Sequence, residues 1–131
     1  MQRSIHNPWT WQDEFGYVQA NEVSSATSTL YCAGQTSVNA DGEPLHLDNM
    51  AEQIQTALDN LETVLSTAGF NLADIMRLNV FVTDMDAFFG GYEPFAKRLA
   101  DAGCKYAGTL LEVRRLAVPG LLVELEATAQ R

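Results

Sequence analysis

The stretch NMAEQIQTALDNLETVLSTAGFNLADIMRLNVFVTD, residues 49–84, predicts a helix followed directly by a strand. Apolar residues in its first half recur every three or four positions, which places them on one stripe of an α-helix. The residues on this stripe are Ile54, Leu58, Leu61, Val64 or Leu65, and Ala68. Asn49, with Glu52 three positions later, fits a capping box, and Gly69 fits the residue just past a helix end. We therefore predict a helix over residues 49–68.

The second half of this stretch contains IMRLNVFVTD, residues 75–84, which has the alternation of a β-strand. One face would carry Leu78, Val80 and Val82, and the other would carry Arg77, Asn79, Phe81 and Thr83. The first face is wholly aliphatic, whereas the second mixes polar and apolar side chains. The pattern predicts a strand with two chemically different faces.

Shorter sequence patterns predict the remaining strands and a second helix. The other predicted elements are strands at 17–23 and 29–35 that form a hairpin, a helix with its firm part at 92–102 after Gly90–Gly91, and strands at about 107–116 and 121–129 joined by a turn at Pro119–Gly120. The resulting order, β-β-α-β-α-β-β, includes a strand–helix–strand crossover. We predict a single α+β domain over residues 1–131, with two helices packed on one mixed sheet and residues 1–15 as an N-terminal arm.

The chain is acidic, because 17 Asp and Glu residues outnumber 8 Lys and Arg residues for a net charge of −9. An acidic surface without a Lys/Arg run repels phosphate backbones, so we expect no nucleic-acid partner. No apolar run approaches the ~20 residues that a membrane span needs. The opening segment MQRSIHNPWTWQDEFG lacks the apolar centre of a signal peptide. We expect a cytoplasmic protein with no membrane partner.

The cysteines and histidines do not form a recognisable reactive or metal-binding pattern. We interpret Cys32 and Cys104 as small, buried side chains, because a cytosolic chain of this size does not need a disulfide. His6 and His46 belong to no spaced cluster with cysteines or carboxylates. We therefore expect no metal site and no cofactor.

One face of the predicted sheet has no helix to cover it. Phe81, Leu110 and Leu122 add apolar surface there, and a monomer would expose it. A symmetric oligomer that buries this face is the simplest arrangement. The final strands also carry four charged residues, which are Glu112, Arg114, Glu124 and Glu126. At the edge of an interface, these charges would line grooves between subunits.

Five runs stand in a distinctive order along almost the whole chain. They are GYVQA (16–20), AGQ (33–35), QIQTALDNLETVLSTAG (53–69), NVFVTDM (79–85), and LEVRRL followed by VELEATA near the C-terminus. Together they resemble the RidA/YjgF family of reactive intermediate deaminases. The resemblance implies a homotrimer with a chorismate-mutase-like fold, in which the sheets form a central barrel and small-molecule metabolites bind in clefts between subunits. It also implies hydrolysis of 2-imino or enamine acids to 2-keto acids and ammonia.

The resemblance implies a set of site residues as well. Glu124, at the first position of E-x-E-A, would position a water molecule, and Tyr17, in Y-x-Q-A, would be its catalytic partner in the cleft. The implied ligand-binding residues are Ala33, Gly34, Ala107, Gly108, Thr109 and Leu110.

The sequence departs from the family pattern at two places. Gly108 stands where the family has an arginine that grips the substrate carboxylate, and AFFGGYEP (87–94) is short and lacks a cleft asparagine. A charge-assisted contact of this kind contributes about 1.5–3 kcal/mol. We expect Gly108 to leave space, so that the cleft takes a larger or uncharged ligand.

Two functions agree with these patterns. The first is a RidA-like hydrolase or deaminase that acts on an imine, an enamine or a related small metabolite, with its specificity altered at Gly108. The alternative is a non-catalytic trimer that binds a metabolite and regulates a partner. The family's endoribonuclease label is disfavoured by the net charge of −9.

Overall fold

The computed structural model describes residues 1–131 and contains six strands and three α-helices. These are β1 Gln2–His6, β2 Ala20–Ser24, β3 Thr29–Tyr31, α1 Met50–Thr67, β4 Ile75–Val82, α2 Met85–Gly90, α3 Tyr92–Asp101, β5 Leu110–Glu112 and β6 Val123–Gln130. The predicted α+β class is confirmed. The arm contributes an additional strand, β1, and the second predicted helix is divided into α2 and α3. The division falls at Gly91, where a Cβ atom would lie only 3.0 Å from the Cα of Ala51 in α1.

The main sheet has four strands in the order β3-β6-β4-β5, and β1 pairs only with β2 in a separate two-stranded sheet. Strand β4 runs parallel to β5 and antiparallel to β6, so the sheet is mixed and the predicted crossover is present. The predicted hairpin is wrong, and so is the expectation that the last two strands follow each other across a simple turn. Strands β2 and β3 belong to different sheets, and β5 and β6 lie on opposite sides of β4.

Helix α1 confirms the predicted helix within one residue at each end. The side chain of Asn49 accepts a hydrogen bond from the backbone N–H of Glu52 at 3.1 Å. The Glu52 carboxylate contacts the His46 ring at 2.8 Å, so only one half of the predicted capping box forms. Gly69, at φ 76°, adopts the left-handed conformation that ends the helix.

The core lies between the helices and one face of the main sheet. The predicted aliphatic face of β4 is buried, as is the corresponding face of β6. The buried side chains of these two faces are Leu78, Val80, Val82, Val123, Leu125, Ala127 and Ala129. The opposite face of the main sheet is covered by no helix of this chain and is called the open face below.

A buried amide ties the loop before β6 to α1. Gln53 is fully buried, and its Nε2 donates hydrogen bonds to the backbone carbonyls of His46 (3.1 Å) and Gly120 (2.9 Å). Its Oε1 accepts a hydrogen bond from the N–H of Leu122 at 2.8 Å. These bonds stabilise the chain between β5 and β6 and hold β6 against the helix layer.

Both cysteines are free and buried, as predicted. Burial raises the pKa of the Cys104 thiol to about 12, and burial also raises the pKa of the Cys32 thiol. Because the thiolate is the reactive form, we expect iodoacetamide to modify Cys104 of the folded protein roughly a thousandfold more slowly than a free thiol at pH 8. Mass spectrometry after timed labelling, with a urea-unfolded control, measures this. Equal labelling rates in folded and unfolded protein would contradict the burial of Cys104.

None of the helices is both long enough and apolar enough to span a lipid bilayer.

Candidate functional site

Glu124 lies on the open face of the main sheet. Strand β6 places it opposite Phe81 of β4. Phe81 alternates with the buried residues Val80 and Val82, so Phe81 and Glu124 project from the opposite side of the sheet. The carboxylate of Glu124 is half-buried and takes part in none of the hydrogen bonds or ion pairs of this chain. It is therefore free to bind a ligand or a water molecule.

Gly34 creates the space that the Glu124 side chain occupies. A Cβ atom at Gly34 would lie 1.9 Å from Oε1 of Glu124, far inside van der Waals contact. A glycine allows the carboxylate to lie directly against the backbone at this point. The two residues predicted from distant parts of the sequence are thus brought together.

The backbone next to Gly34 contains a β-bulge. Cys32 donates its N–H to the carbonyl of Ala127 at 2.9 Å, and Gln35 donates its N–H to the carbonyl of Leu125 at 2.7 Å. Three residue steps from 32 to 35 therefore lie opposite two steps from 127 to 125 on β6. Segment 33–34 does not pair with β6 and forms the bulge. Neither N–H group of this segment has an acceptor within the chain. The predicted pair Ala33 and Gly34 therefore offers two free backbone donors beside the Glu124 carboxylate.

The neighbouring carboxylates have structural partners, in contrast to Glu124. Glu126 accepts a hydrogen bond from Nδ2 of Asn79 at 3.1 Å. Glu112 accepts one from the N–H of Met85 at 3.0 Å, which caps the first turn of α2. Two of the four charged residues in the final strands thus have local structural roles, and Glu124 remains available.

Asn79 was not predicted as a site residue. Its Oδ1 accepts a hydrogen bond from the N–H of Thr109 at 3.2 Å, while its Nδ2 binds Glu126. It connects the edge strand β5 to β6 across β4. The only signal in the sequence was a polar residue on the less apolar face of the predicted strand.

A cavity of about 470 Å³ lies on the other side of the main sheet, between the core face of β4, helices α2 and α3, and residues 11–19, which include the end of the arm. This space is called the aromatic cavity below. Four predicted site residues line it, namely Tyr17, Gly108, Thr109 and Leu110. Ala107 is buried beside it and pairs through its backbone with Met76 and Leu78 of β4. No residue with a charged side chain lines the aromatic cavity.

Tyr92 and Tyr106 of the aromatic cavity remain neutral phenols. Burial raises the pKa of Tyr106 far above its usual range. Burial also raises the pKa of Tyr92, whose hydroxyl donates a hydrogen bond to the carbonyl of Phe15 at 2.6 Å. That bond fastens the arm to α3. Tyr17 contacts Trp11 and Tyr106 in this cluster, with ring centroids 6.2 and 6.5 Å away.

The expectation that Gly108 leaves space for a long side chain is wrong. A Cβ atom there would lie 1.7 Å from the carbonyl oxygen of Leu78 and 2.7 Å from its carbonyl carbon. The segment follows β4 closely, since Val80 donates its N–H to the carbonyl of Thr109 at 2.9 Å. The backbone of β4 therefore occupies the position where any side chain at residue 108 would begin.

The predicted catalytic pair is not assembled within one chain. Tyr17 lies in the aromatic cavity on the helix side of the main sheet, whereas Glu124 lies on the open face. The sheet separates them. The predicted site residues therefore fall into two separate groups, which are called the half-sites below: Glu124 with segment 33–34 on one face, and Tyr17 with the aromatic cavity on the other.

The chain thus combines a four-stranded mixed sheet, covered by helices on one face, with a carboxylate set against a bulge on the other face. The sequence profile of the family described as "Endoribonuclease L-PSP" matches residues 12–131, and the chain belongs to this family. The predicted relationship to the RidA/YjgF proteins is thereby confirmed.

Three relatives show the extent of the similarity. The mitochondrial protein mmf1 of Schizosaccharomyces pombe is 29% identical over 109 residues, which cover 83% of this chain and 66% of that protein. The 2-iminobutanoate/2-iminopropanoate deaminase of Escherichia coli K12 is 28% identical over 116 residues, covering 88% of this chain and 87% of the relative. The crystal structure of YyfB from Yersinia pestis, a Rid family protein of unknown function, superimposes with a TM-score of 0.88 at 34% identity and full coverage of both chains.

Proposed function

We propose that this protein is an imine or enamine deaminase with its active sites between the subunits of a homotrimer. One observation carries the proposal: the unpartnered carboxylate of Glu124 lies against Gly34, beside two free N–H groups. The relative named 2-iminobutanoate/2-iminopropanoate deaminase supports the reaction type.

The proposed reaction is the hydrolysis of a C=N bond, R₂C=NH + H₂O → R₂C=O + NH₃. Glu124 holds the water and accepts one of its protons as the oxygen attacks the electrophilic imine carbon. Glu124 passes this proton to the imine nitrogen, which gives the carbinolamine R₂C(OH)NH₂. The proton of the carbinolamine hydroxyl then passes by way of Glu124 to the same nitrogen, the C–N bond breaks, and NH₃ leaves as the C=O bond forms. The free N–H groups of segment 33–34 bind the substrate's oxygen atoms and so orient it. Water, one carboxylate and these donors are sufficient, so the reaction needs no metal or cofactor.

The proposed assembly brings the two half-sites together. In a cyclic oligomer, the open face of one subunit meets a different surface of its neighbour, so Glu124 of one chain can face Tyr17 of another. The open face also exposes large apolar side chains, with Tyr31 80% and Leu111 47% exposed. A neighbouring subunit would cover them.

Mixed oligomers test this arrangement. Glu124→Gln and Tyr17→Ala are each expected to lose most ammonia release when purified alone. Co-expression of both variants is expected to restore about a quarter of the clefts, because only one in four neighbouring pairs combines an intact Tyr17 with an intact Glu124. The measurement is ammonia release from freshly generated 2-iminobutanoate, with the oligomer mass determined in parallel by light scattering.

The outcomes separate the possibilities. Recovery in the mixture supports a site shared between subunits, whereas two inactive variants that remain inactive in a mixed oligomer would reject a site built from Tyr17 of one subunit and Glu124 of the next. A wild-type protein that releases no ammonia, but melts at a higher temperature with an imine analogue bound, would favour the metabolite-binding alternative. The observation that supports this alternative is Gly108, which provides no cationic side chain to bind the carboxylate of an imino acid.

A further inference from the structure

We propose that the aromatic cavity binds an uncharged aromatic group of the substrate, so that the substrate class is imines or enamines with an aromatic side chain. The chemistry rests on the proposed deaminase function, whereas the binding of an aromatic group does not. Four features of the aromatic cavity support the inference, and they concern its size, its lining, its electrostatics and its connection to the Glu124 half-site.

The size of the aromatic cavity suits a ring. Its volume is about 470 Å³, whereas a cavity of about 150 Å³ in another protein holds benzene. Ligand-binding pockets generally have volumes of ~300–1,000 Å³. A two- or three-carbon side chain would leave nearly all of this space unfilled, whereas a one-ring group enters it with room to spare and a two-ring group would fill the larger part of it.

The lining of the aromatic cavity favours aromatic contacts. Eight of its 14 lining residues are aromatic. Several of these rings meet edge to face. The angle between the ring planes is 74° for Trp11 and Tyr17 and 66° for Phe88 and Phe89. A ligand ring would extend this arrangement, which is the preferred geometry for aromatic groups.

The electrostatics of the aromatic cavity exclude a charged group. Its polar lining consists of Gln19, Thr109 and tyrosine hydroxyls, and the hydroxyl of Tyr92 is already bonded to Phe15. No cation lies there to neutralise a carboxylate, and desolvation of an unpaired charge is costly. The carboxylate end of a substrate must therefore lie outside the aromatic cavity.

The aromatic cavity reaches the reaction centre through Tyr17. Because Tyr17 lines it, the subunit that presents Tyr17 to the Glu124 of its neighbour presents the aromatic cavity as well. The ring of the substrate would lie in one subunit, and its C=N bond would lie against Glu124 of the next.

Two tryptophans of the arm provide a matched test. Trp9 and Trp11 are 58% and 57% exposed, yet only Trp11 lines the aromatic cavity. We expect 3-phenylpropanamide, an uncharged aromatic probe, to change the tryptophan fluorescence of the wild type and of Trp9→Ala saturably. In Trp11→Ala, ligand-observed NMR should show binding about tenfold weaker, because an aromatic contact is lost. Propanamide, which lacks the ring, should not bind measurably.

Turnover gives a second measurement. Imino acids generated in situ by an amino-acid oxidase from phenylalanine and from alanine are compared for ammonia release. We expect kcat/KM to be at least about tenfold higher for the aromatic substrate, because burying its ring in the aromatic cavity lowers the free energy of the bound transition state.

The results distinguish the two proposals. Binding of 3-phenylpropanamide that depends on Trp11, without ammonia release from either substrate, would support the aromatic cavity as a binding site and reject the deaminase function. Ammonia release with no preference for the aromatic substrate, together with no saturable binding of 3-phenylpropanamide, would overturn the inference. The second result is the one expected if a side chain of a neighbouring subunit fills the aromatic cavity.

Discussion

Glu124→Gln is expected to reduce ammonia release at least about 100-fold, since general base catalysis contributes ~10²–10⁴-fold. The amide has nearly the same shape as the carboxylate but cannot accept a proton from water. It can still fit against Gly34, where the side chain lies in the space that a Cβ atom would otherwise occupy. Folding should therefore be preserved, and thermal unfolding should confirm this.

Glu126→Gln is the matched control for this change. Glu126 lies two residues away on the same strand and the same face, but its carboxylate accepts a hydrogen bond from Asn79. The amide oxygen of glutamine can accept the same bond. We expect ammonia release within about threefold of the wild type, because the lost charge has no role in the proton transfer. Equal losses in the two variants would reject Glu124 as the general base.

Gly108→Ala is expected to lower the free energy of unfolding by about 2–4 kcal/mol, because overpacking and a weakened strand ladder act together. The added Cβ would lie 1.7 Å from the carbonyl oxygen of Leu78, so the segment must move away from β4. That movement stretches the bond from the Val80 N–H to the Thr109 carbonyl, now 2.9 Å long. Urea unfolding measures the change. Gly108→Arg should cost at least as much, because it adds the same Cβ atom.

Gly90→Ala is the control for Gly108→Ala. Gly90 is the last residue of α2, and a Cβ atom there would meet nothing within 4 Å. We expect a change within about 0.5 kcal/mol, in either direction, because alanine favours the helix but little of the helix remains beyond this point. If Gly108→Ala were equally harmless, β5 would have to shift freely, and the close contact with Leu78 would not restrain it.

The family resemblance identified residues whose positions in space the sequence could not determine. Glu124 and Gly34 were both named, and the structure places them in contact. Tyr17 and Glu124 were also named together, yet they lie on opposite sides of the main sheet. The roles of Asn79 and Gln53 were missed, because each depends on backbone groups far away in the sequence.

The sequence by itself determined α1, β4 and the buried face of each, because apolar spacing and capping residues act between neighbours in the chain. The tertiary structure alone decided which strands pair, the bulge at segment 33–34, and the close approach of Gly108 to Leu78. Strand pairing joins residues far apart in sequence, so local patterns cannot distinguish a hairpin from two strands separated by a third. The same physical reason explains why the space expected at Gly108 is filled by the backbone of a strand about 30 residues earlier in the chain.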